Sequence, residues 1–266
     1  MDSTLTVQGL RVFVRERGDG FPLVLLNGIG ANCDMWGPTA AVLSRRSRTI
    51  AFDCPGTGRS DTPIFPLAMA SLSHVLLDAL DALGHTWFDV LGFSFGGLLA
   101  QQVAKDGADR VRRLALVSSA CGLGSTPPAA SALAAVATPM RYYSREWFDR
   151  TNPLLGELEA MDEIAVSAYA RARFEHPPTA VGYTYQLWAA CWWSSLAWLS
   201  TITIPTLIIS GGRDRLVRPE NAYQLARLLP RSRLLLLPDA SHFPLLEEGP
   251  ATEALSDFFS LDKVPI

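Results

Sequence analysis

At 266 residues, with 48% hydrophobic side chains and a mean hydropathy of +0.17, the chain is long enough to bury a large core, and it fits one α/β domain better than two. A net charge of −3 without any basic stripe excludes a nucleic-acid surface, and no run of 18 apolar residues exists that would span a membrane. The cysteines Cys33, Cys54, Cys121 and Cys191 form no C-x-x-C pair, and Met1-Asp2-Ser3-Thr4 lacks the basic start of a secretory signal, so a cytoplasmic protein with reduced thiols and no metal site is expected.

Residues 5–8 and 11–17 read as two short strands, the second alternating Val12 and Val14 with charged partners. The continuous apolar run 22–26 reads as a strand covered on both faces, and it ends in the glycine-bearing loop Asn27-Gly28-Ile29-Gly30. A further buried strand at 49–52 leads into Asp53-Cys54-Pro55-Gly56-Thr57-Gly58-Arg59-Ser60, a loop in which Asp53 is expected to be structural. Apolar residues at 72, 75, 76, 79, 80 and 83 give a helix over 71–83, which Gly84 stops. Next comes an apolar strand, the corner Gly92-Phe93-Ser94-Phe95-Gly96, and a helix to about 105. Only residues without side chains fit two positions either side of a serine held on so sharp a strand-to-helix turn. That turn lifts the Ser94 hydroxyl above the sheet, beside helix N–H groups that favour negative charge.

After a strand at 114–117 the strand–helix alternation breaks. Residues 122–200 read as helices without strand candidates and carry Trp147, Trp188, Trp192, Trp193 and Trp198. An insertion of that length reads as a helical cap over the site, with Trp188, Trp192 and Trp193 as the candidates for an apolar acyl pocket. Alternation resumes with a strand over 205–210, a helix opened by Pro219, a strand over 233–237 and a last helix over 251–259. The alternation predicts a mostly parallel eight-stranded sheet with helices on both faces.

A serine hydroxyl needs a base, and the base needs a carboxylate to hold its tautomer. His242 follows the last strand on the edge to which the serine corner also points, whereas His74, His85 and His176 have solvent-facing or packing roles. Asp214, just past the strand ending at Ser210, is favoured as the carboxylate over Asp239, which precedes the histidine on its own loop. Donors for an oxyanion are expected from the N–H groups of Phe95 and Ile29. No cofactor is called for.

The serine corner, Asn27-Gly28-Ile29-Gly30, Asp53-Cys54-Pro55-Gly56, Asp214 and His242 together resemble the α/β-hydrolase superfamily across essentially the whole chain, including its Ser–Asp–His order. That resemblance implies an α/β-hydrolase core from 1–121 and 201–266 with the cap at 122–200. Within the superfamily the chain is similar to the intracellular medium-chain-length polyhydroxyalkanoate depolymerases. The stretches carrying that likeness are Asn27-Gly28-Ile29-Gly30-Ala31-Asn32, Pro139-Met140-Arg141-Tyr142-Tyr143, Gly182-Tyr183-Thr184-Tyr185-Gln186-Leu187-Trp188 and Trp193-Ser194-Ser195-Leu196-Ala197-Trp198-Leu199. It implies a serine esterase cutting 3-hydroxyacyl esters of storage polyester granules. A soluble carboxylesterase, a carbon–carbon bond hydrolase, a thioesterase, a perhydrolase and a ligand-binding protein on the same fold are the alternatives. The sequence leaves open whether an apolar patch on the cap adsorbs to a granule surface and whether the chain forms homo-oligomers.

Overall fold

The computed structural model describes residues 1–155, 163–246 and 248–260. Residues 156–162, inside the expected cap, lie outside the described residues. Eight strands form one sheet: β1 (Asp2–Val7), β2 (Leu10–Arg17), β3 (Phe21–Leu26), β4 (Ser47–Phe52), β5 (Phe88–Phe93), β6 (Val111–Val117), β7 (Thr206–Gly211) and β8 (Ser232–Leu237). Their spatial order is β1-β2-β4-β3-β5-β6-β7-β8; β1–β2 and β2–β4 pair antiparallel, and every other pair is parallel. The mostly parallel eight-stranded sheet is the one the sequence predicts.

Successive residues of a strand point to opposite faces, and the two cores follow that period. Val24, Leu26, Ile50, Phe52, Leu114, Leu116 and Ile208 pack against α2 (Met69–Ala82), α3 (Phe95–Asp106) and α8 (Pro219–Leu228). Leu23, Leu25, Ala51, Ala115, Val117, Leu207 and Ile209 face α1 (Gly37–Leu43) and α9 (Pro250–Ser260). Because β3, β5, β6 and β7 are covered on both sides, they are apolar along most of their length, interrupted by Asp89 in β5 and by Arg112 and Arg113 in β6, of which Arg112 pairs with Asp89. The sequence reading gave no element between β3 and β4. The structure has a short 3-10 turn, Cys33–Trp36, and α1 there. With Gly, Pro and Thr among its 7 residues, α1 has too little apolar period to stand out.

Between β6 and β7 lie α4 (Ala130–Val136), a 3-10 turn Pro139–Tyr142, α5 (Arg145–Leu155), α6 (Glu163–Glu175) and α7 (Ala180–Cys191). This helical segment sits over the C-terminal ends of the strands, tied there by named bonds. Tyr142 Oη donates to the Ile29 carbonyl (2.6 Å), the Gly30 N–H donates to Gln186 Oε1 (2.8 Å), and Asn32 Nδ2 donates to the carbonyls of Ala172 and His176 (2.8 Å each). At the closest approach Gly56 lies against Gly182 of α7. A Cβ added to Gly56 would fall 2.5 Å from Gly182 Cα, and one added to Gly182 would fall 2.2 Å from the Gly56 carbonyl oxygen. Only two glycines permit that packing.

Candidate active site

Ser94 joins β5 to α3 with φ 54° and ψ −118°, a backbone conformation that L-residues rarely take. The flanking glycines make it attainable. A Cβ on Gly92 would meet the Gly96 carbonyl at 2.3 Å, and one on Gly96 would meet the Leu26 carbonyl at 2.0 Å. The serine thus stands at the end of the central strand, at the start of a 12-residue helix.

His242, beyond β8, places Nε2 3.1 Å from Ser94 Oγ and Nδ1 2.8 Å from Asp214 Oδ2. A carboxylate can only accept, so Nδ1 carries the proton and Nε2 is left as the acceptor for the serine O–H. Asp214, beyond β7, is itself fixed: its Oδ1 accepts the N–H groups of Leu216 and Val217, both at 2.8 Å. Both side chains are buried. Asp239 points away, exposed and paired with Arg213 at 2.5 Å. The His242 ring lies 5.3 Å from the Phe93 ring and 4.9 Å from that of Phe243, which keeps water from its faces. The other histidines stand apart: His74 near Asp106, His85 buried against Glu16, and His176 offering its carbonyl to Asn32. Asp53 accepts from the Cys33 N–H (2.6 Å) and from the Arg59 N–H and Nε (2.9 Å each), so it holds its loop together.

Phe95 is the first residue of α3, so its N–H is one of the first-turn donors that no intrahelical carbonyl can meet. In the loop after β3, Gly28 donates to Asn27 Oδ1, Gly30 to Gln186 and Ala31 to the Gly28 carbonyl. The Ile29 N–H makes no hydrogen bond among the described residues, and Ile29 lines the same cavity as Ser94. Such an arrangement can add a serine alkoxide to a carbonyl carbon and hold the oxygen that becomes negative.

The cavity above Ser94 is lined mainly by apolar and aromatic groups, among them Ile29, Trp36, Phe93, Tyr142, Tyr183 and Phe243. Its volume is about 50 Å³. The expected tryptophans are not there. Trp188 and Trp192 are exposed on α7 and at its end, and Trp193 is buried elsewhere, its Nε1 donating to Gln102 of α3 at 2.7 Å. From that segment the aromatic wall takes Tyr142, Tyr169 and Tyr183 instead, and the core supplies Trp36, Phe93 and Phe243. Two buried cations also line the cavity: Arg141, which donates to Asn152 Oδ1 (2.6 Å), and Arg173, whose guanidinium lies 4.3 Å from the Tyr142 ring centroid. Sequence reasoning missed both, together with Tyr142, Tyr183 and Gln186. Four of these five sit in the stretches that carry the depolymerase likeness, so the signal was present there. Among the described residues no group of His, Cys, Asp or Glu is arranged to hold a metal ion.

Residues 23–255 match the family described as the alpha/beta hydrolase family. The chain is 34% identical over 224 residues to a poly(3-hydroxyalkanoate) depolymerase of Ectopseudomonas oleovorans, covering 84% of this chain and 78% of that protein. It is 29% identical over 254 residues to a 2-hydroxymuconate semialdehyde hydrolase of Pseudomonas putida, covering 91% and 87%. Among solved structures it is similar to an enol-lactonase from Burkholderia xenovorans LB400, with a TM-score of 0.82, 27% identity, and 97% and 100% of the two chains covered.

Proposed function

The chain belongs to the alpha/beta hydrolase family, and on that premise we propose that it is a serine ester hydrolase acting on apolar, medium-chain 3-hydroxyacyl esters, with a poly(3-hydroxyalkanoate) as its polymeric substrate. The observation that carries this reading is the hydrogen-bonded series Ser94–His242–Asp214 at the floor of a narrow, aromatic cavity. Ser94 Oγ attacks the ester carbonyl while His242 Nε2 takes its proton. Asp214 holds the ring and stabilises the imidazolium. The N–H groups of Ile29 and Phe95 receive the oxyanion. His242 then protonates the leaving alcohol, and water, activated by the same imidazole, releases the acid. Residues 122–200 act as the cap that encloses the acyl chain. Support for the polymer comes from the depolymerase relative. Action in the cytoplasm belongs to the same reading, and the four unpaired thiols support it.

A second reading, a soluble substrate bearing a carboxylate, is favoured by the buried guanidiniums of Arg141 and Arg173 in the cavity wall. It would bring the chain closer to the semialdehyde hydrolase and the enol-lactonase.

The test is hydrolysis of p-nitrophenyl esters from acetate to tetradecanoate, of a poly(3-hydroxyalkanoate) latex and of 2-hydroxymuconate semialdehyde, by wild type and Ser94→Ala. Mid-length esters and the latex should be cleaved, and Ser94→Ala should lose about 10⁴-fold or more in kcat. A higher kcat/KM on the semialdehyde than on any ester would put the second reading first. No turnover of any substrate, with no fluorophosphonate labelling of Ser94, would remove both.

A further inference from the structure

The loop Gly28-Ile29-Gly30-Ala31 is a tight turn, closed where the Ala31 N–H donates to the Gly28 carbonyl at 3.1 Å. Gly30, in its third position, has φ 70°, and Ile29, in its second, stays out of the positive-φ region. That is the pattern of a type II turn, whose central peptide unit joins the second residue to the third. Turning that unit over would make a type I turn of the same residues. The carbonyl of Ile29 and the N–H of Gly30 are the two ends of this one unit, and the helical segment holds both. Tyr142 Oη donates to the carbonyl at 2.6 Å, and Gln186 Oε1 accepts the N–H at 2.8 Å. The first comes from the 3-10 turn Pro139–Tyr142 and the second from α7, so the peptide is gripped from two elements. Packing adds to the grip. A Cβ on Gly30 would fall 2.7 Å from Tyr183 Cδ2 and 2.8 Å from Tyr142 Cε2, and Tyr183 is itself fixed by its bond to the Val136 carbonyl at 2.7 Å.

We propose that Tyr142 and Gln186 are positioning residues for the oxyanion donor. By holding both ends of the Ile29–Gly30 peptide, the helical segment keeps the N–H of Ile29 at a fixed depth and aimed at the carbonyl oxygen that becomes negative when Ser94 attacks. The inference rests on the ester-hydrolase reading above and assigns part of its transition-state stabilisation to side chains outside the sheet and its loops. A donor serves an oxyanion when it already stands about 2.7–3.1 Å from where that oxygen will be, with no rearrangement at the moment of reaction. The turn cannot secure this alone, since a single hydrogen bond closes it and one peptide flip separates its two forms. Two hydrogen bonds from buried side chains remove that freedom. Tyr142 also lines the cavity, so the ring that meets the acyl chain and the hydroxyl that sets the donor belong to one residue. A helical segment lifted from the sheet would leave Ser94, His242 and Asp214 in place and the oxyanion site unset.

The experiment uses the full chain, p-nitrophenyl hexanoate as substrate and an alkyl trifluoromethyl ketone as inhibitor. In the adduct, Ser94 Oγ bonds to the ketone carbon, its proton passes to His242 Nε2, and the ketone oxygen becomes the oxyanion. Tyr142→Phe, Gln186→Leu and the two together are set beside wild type. Tyr143→Phe serves as the comparison, since its hydroxyl donates to the Pro178 carbonyl, outside the loop. Each of the first two variants should lower kcat at least about tenfold with KM within about twofold, because the oxyanion exists only after the ester is bound. Inhibition by the ketone should weaken by a similar factor. Since both bonds hold one peptide, the double variant should lose less than the product of the single losses. Tyr143→Phe should keep kcat within about twofold. Unchanged kcat in both single variants would overturn the inference and leave the hydrolase reading standing. A raised KM with kcat intact would overturn it too, making both residues mere cavity wall, as would a lowered kcat with ketone inhibition unchanged. An equal loss in Tyr143→Phe would trace the effect to general loosening of the segment and overturn it likewise. A wild type that neither cleaves the ester nor binds the ketone would remove the hydrolase reading, and this inference with it.

Discussion

Asp214 and Asp239 are the same residue type, each just past the end of a strand, β7 and β8, and their surroundings separate them. Two backbone N–H groups hold Asp214 with one oxygen facing His242, whereas Asp239 lies in solvent beside Arg213. Asp214→Asn should leave the ring free to take the wrong tautomer and should lower kcat by about 10⁴ with little change in melting temperature. Asp239→Asn should change kcat by less than about twofold, since it removes only an exposed ion pair. Steady-state kinetics beside thermal melts would check both, and equal losses would refute the assignment. Ser94, His242 and Asp214 were legible because each sits just past a strand readable from its apolar run. The cavity-lining Arg173 was not, since a buried cation inside a helix carries no local pattern that sets it apart from a surface one, and Arg141 was marked only by the likeness of its stretch to the depolymerases.

Helix α7 explains what the sequence did not yield at the next scale. An amphipathic helix announces its inner face by the charges on its outer one. Residues 180–191 carry no charge at all, so nothing in the pattern says that Tyr183 and Gln186 turn inward while Val181 and Trp188 turn out. Bulk aromatic content then pointed to the tryptophans, and the structure puts tyrosines in that place. The seating of this helix depends on the contact between Gly182 and Gly56. Gly182→Val should force them apart, with a loss of about 1–3 kcal/mol of stability. Ester turnover should fall as well, because Gln186 moves with the helix and loosens its bond to Gly30. Gln186→Leu, which removes that bond without the clash, should lower kcat/KM for a soluble ester while leaving the melting temperature nearly unchanged. If Gly182→Val melts early and Gln186→Leu keeps full activity, the helix supports the fold and has no hand in positioning the loop.

For the molecule as a whole, the mostly parallel sheet was legible because short apolar runs alternate with helices along the chain, as strands covered on both faces do. The short α1, with too little apolar period to stand out, was not. Three of the four thiols are buried in the two cores or beside them, and Cys191 alone is exposed. Burial pushes the Cys121 thiol up to about 11 and the Cys54 thiol, with the nearby Asp53 charge adding to it, up to about 12. Iodoacetamide at neutral pH should therefore add one group to the native protein, at Cys191, and four after unfolding, as counted by intact mass. A thiol raised in this way contributes stability that is whole below its ordinary value of 9.0 and is lost as the pH rises through about 11. The melting temperature should thus fall over that alkaline range, and less steeply in Cys121→Ala. The helical segment joins these cores unequally. Ala189, Trp193, Leu199 and Ile202 belong to the principal core, and Trp193 and Ser195 bond Gln102 and Gln101 of α3. Tyr142, Phe148 and Tyr169 pack in a separate cluster around the cavity, and Ala132, Ala135 and Leu155 in another. A change in the first portion should thus cost stability of the whole sheet. On the proposed reading, changes in α4–α6 would reshape the cavity, and with it the preference among acyl chains, while the sheet, the serine corner and the seat of α7 stay as they are.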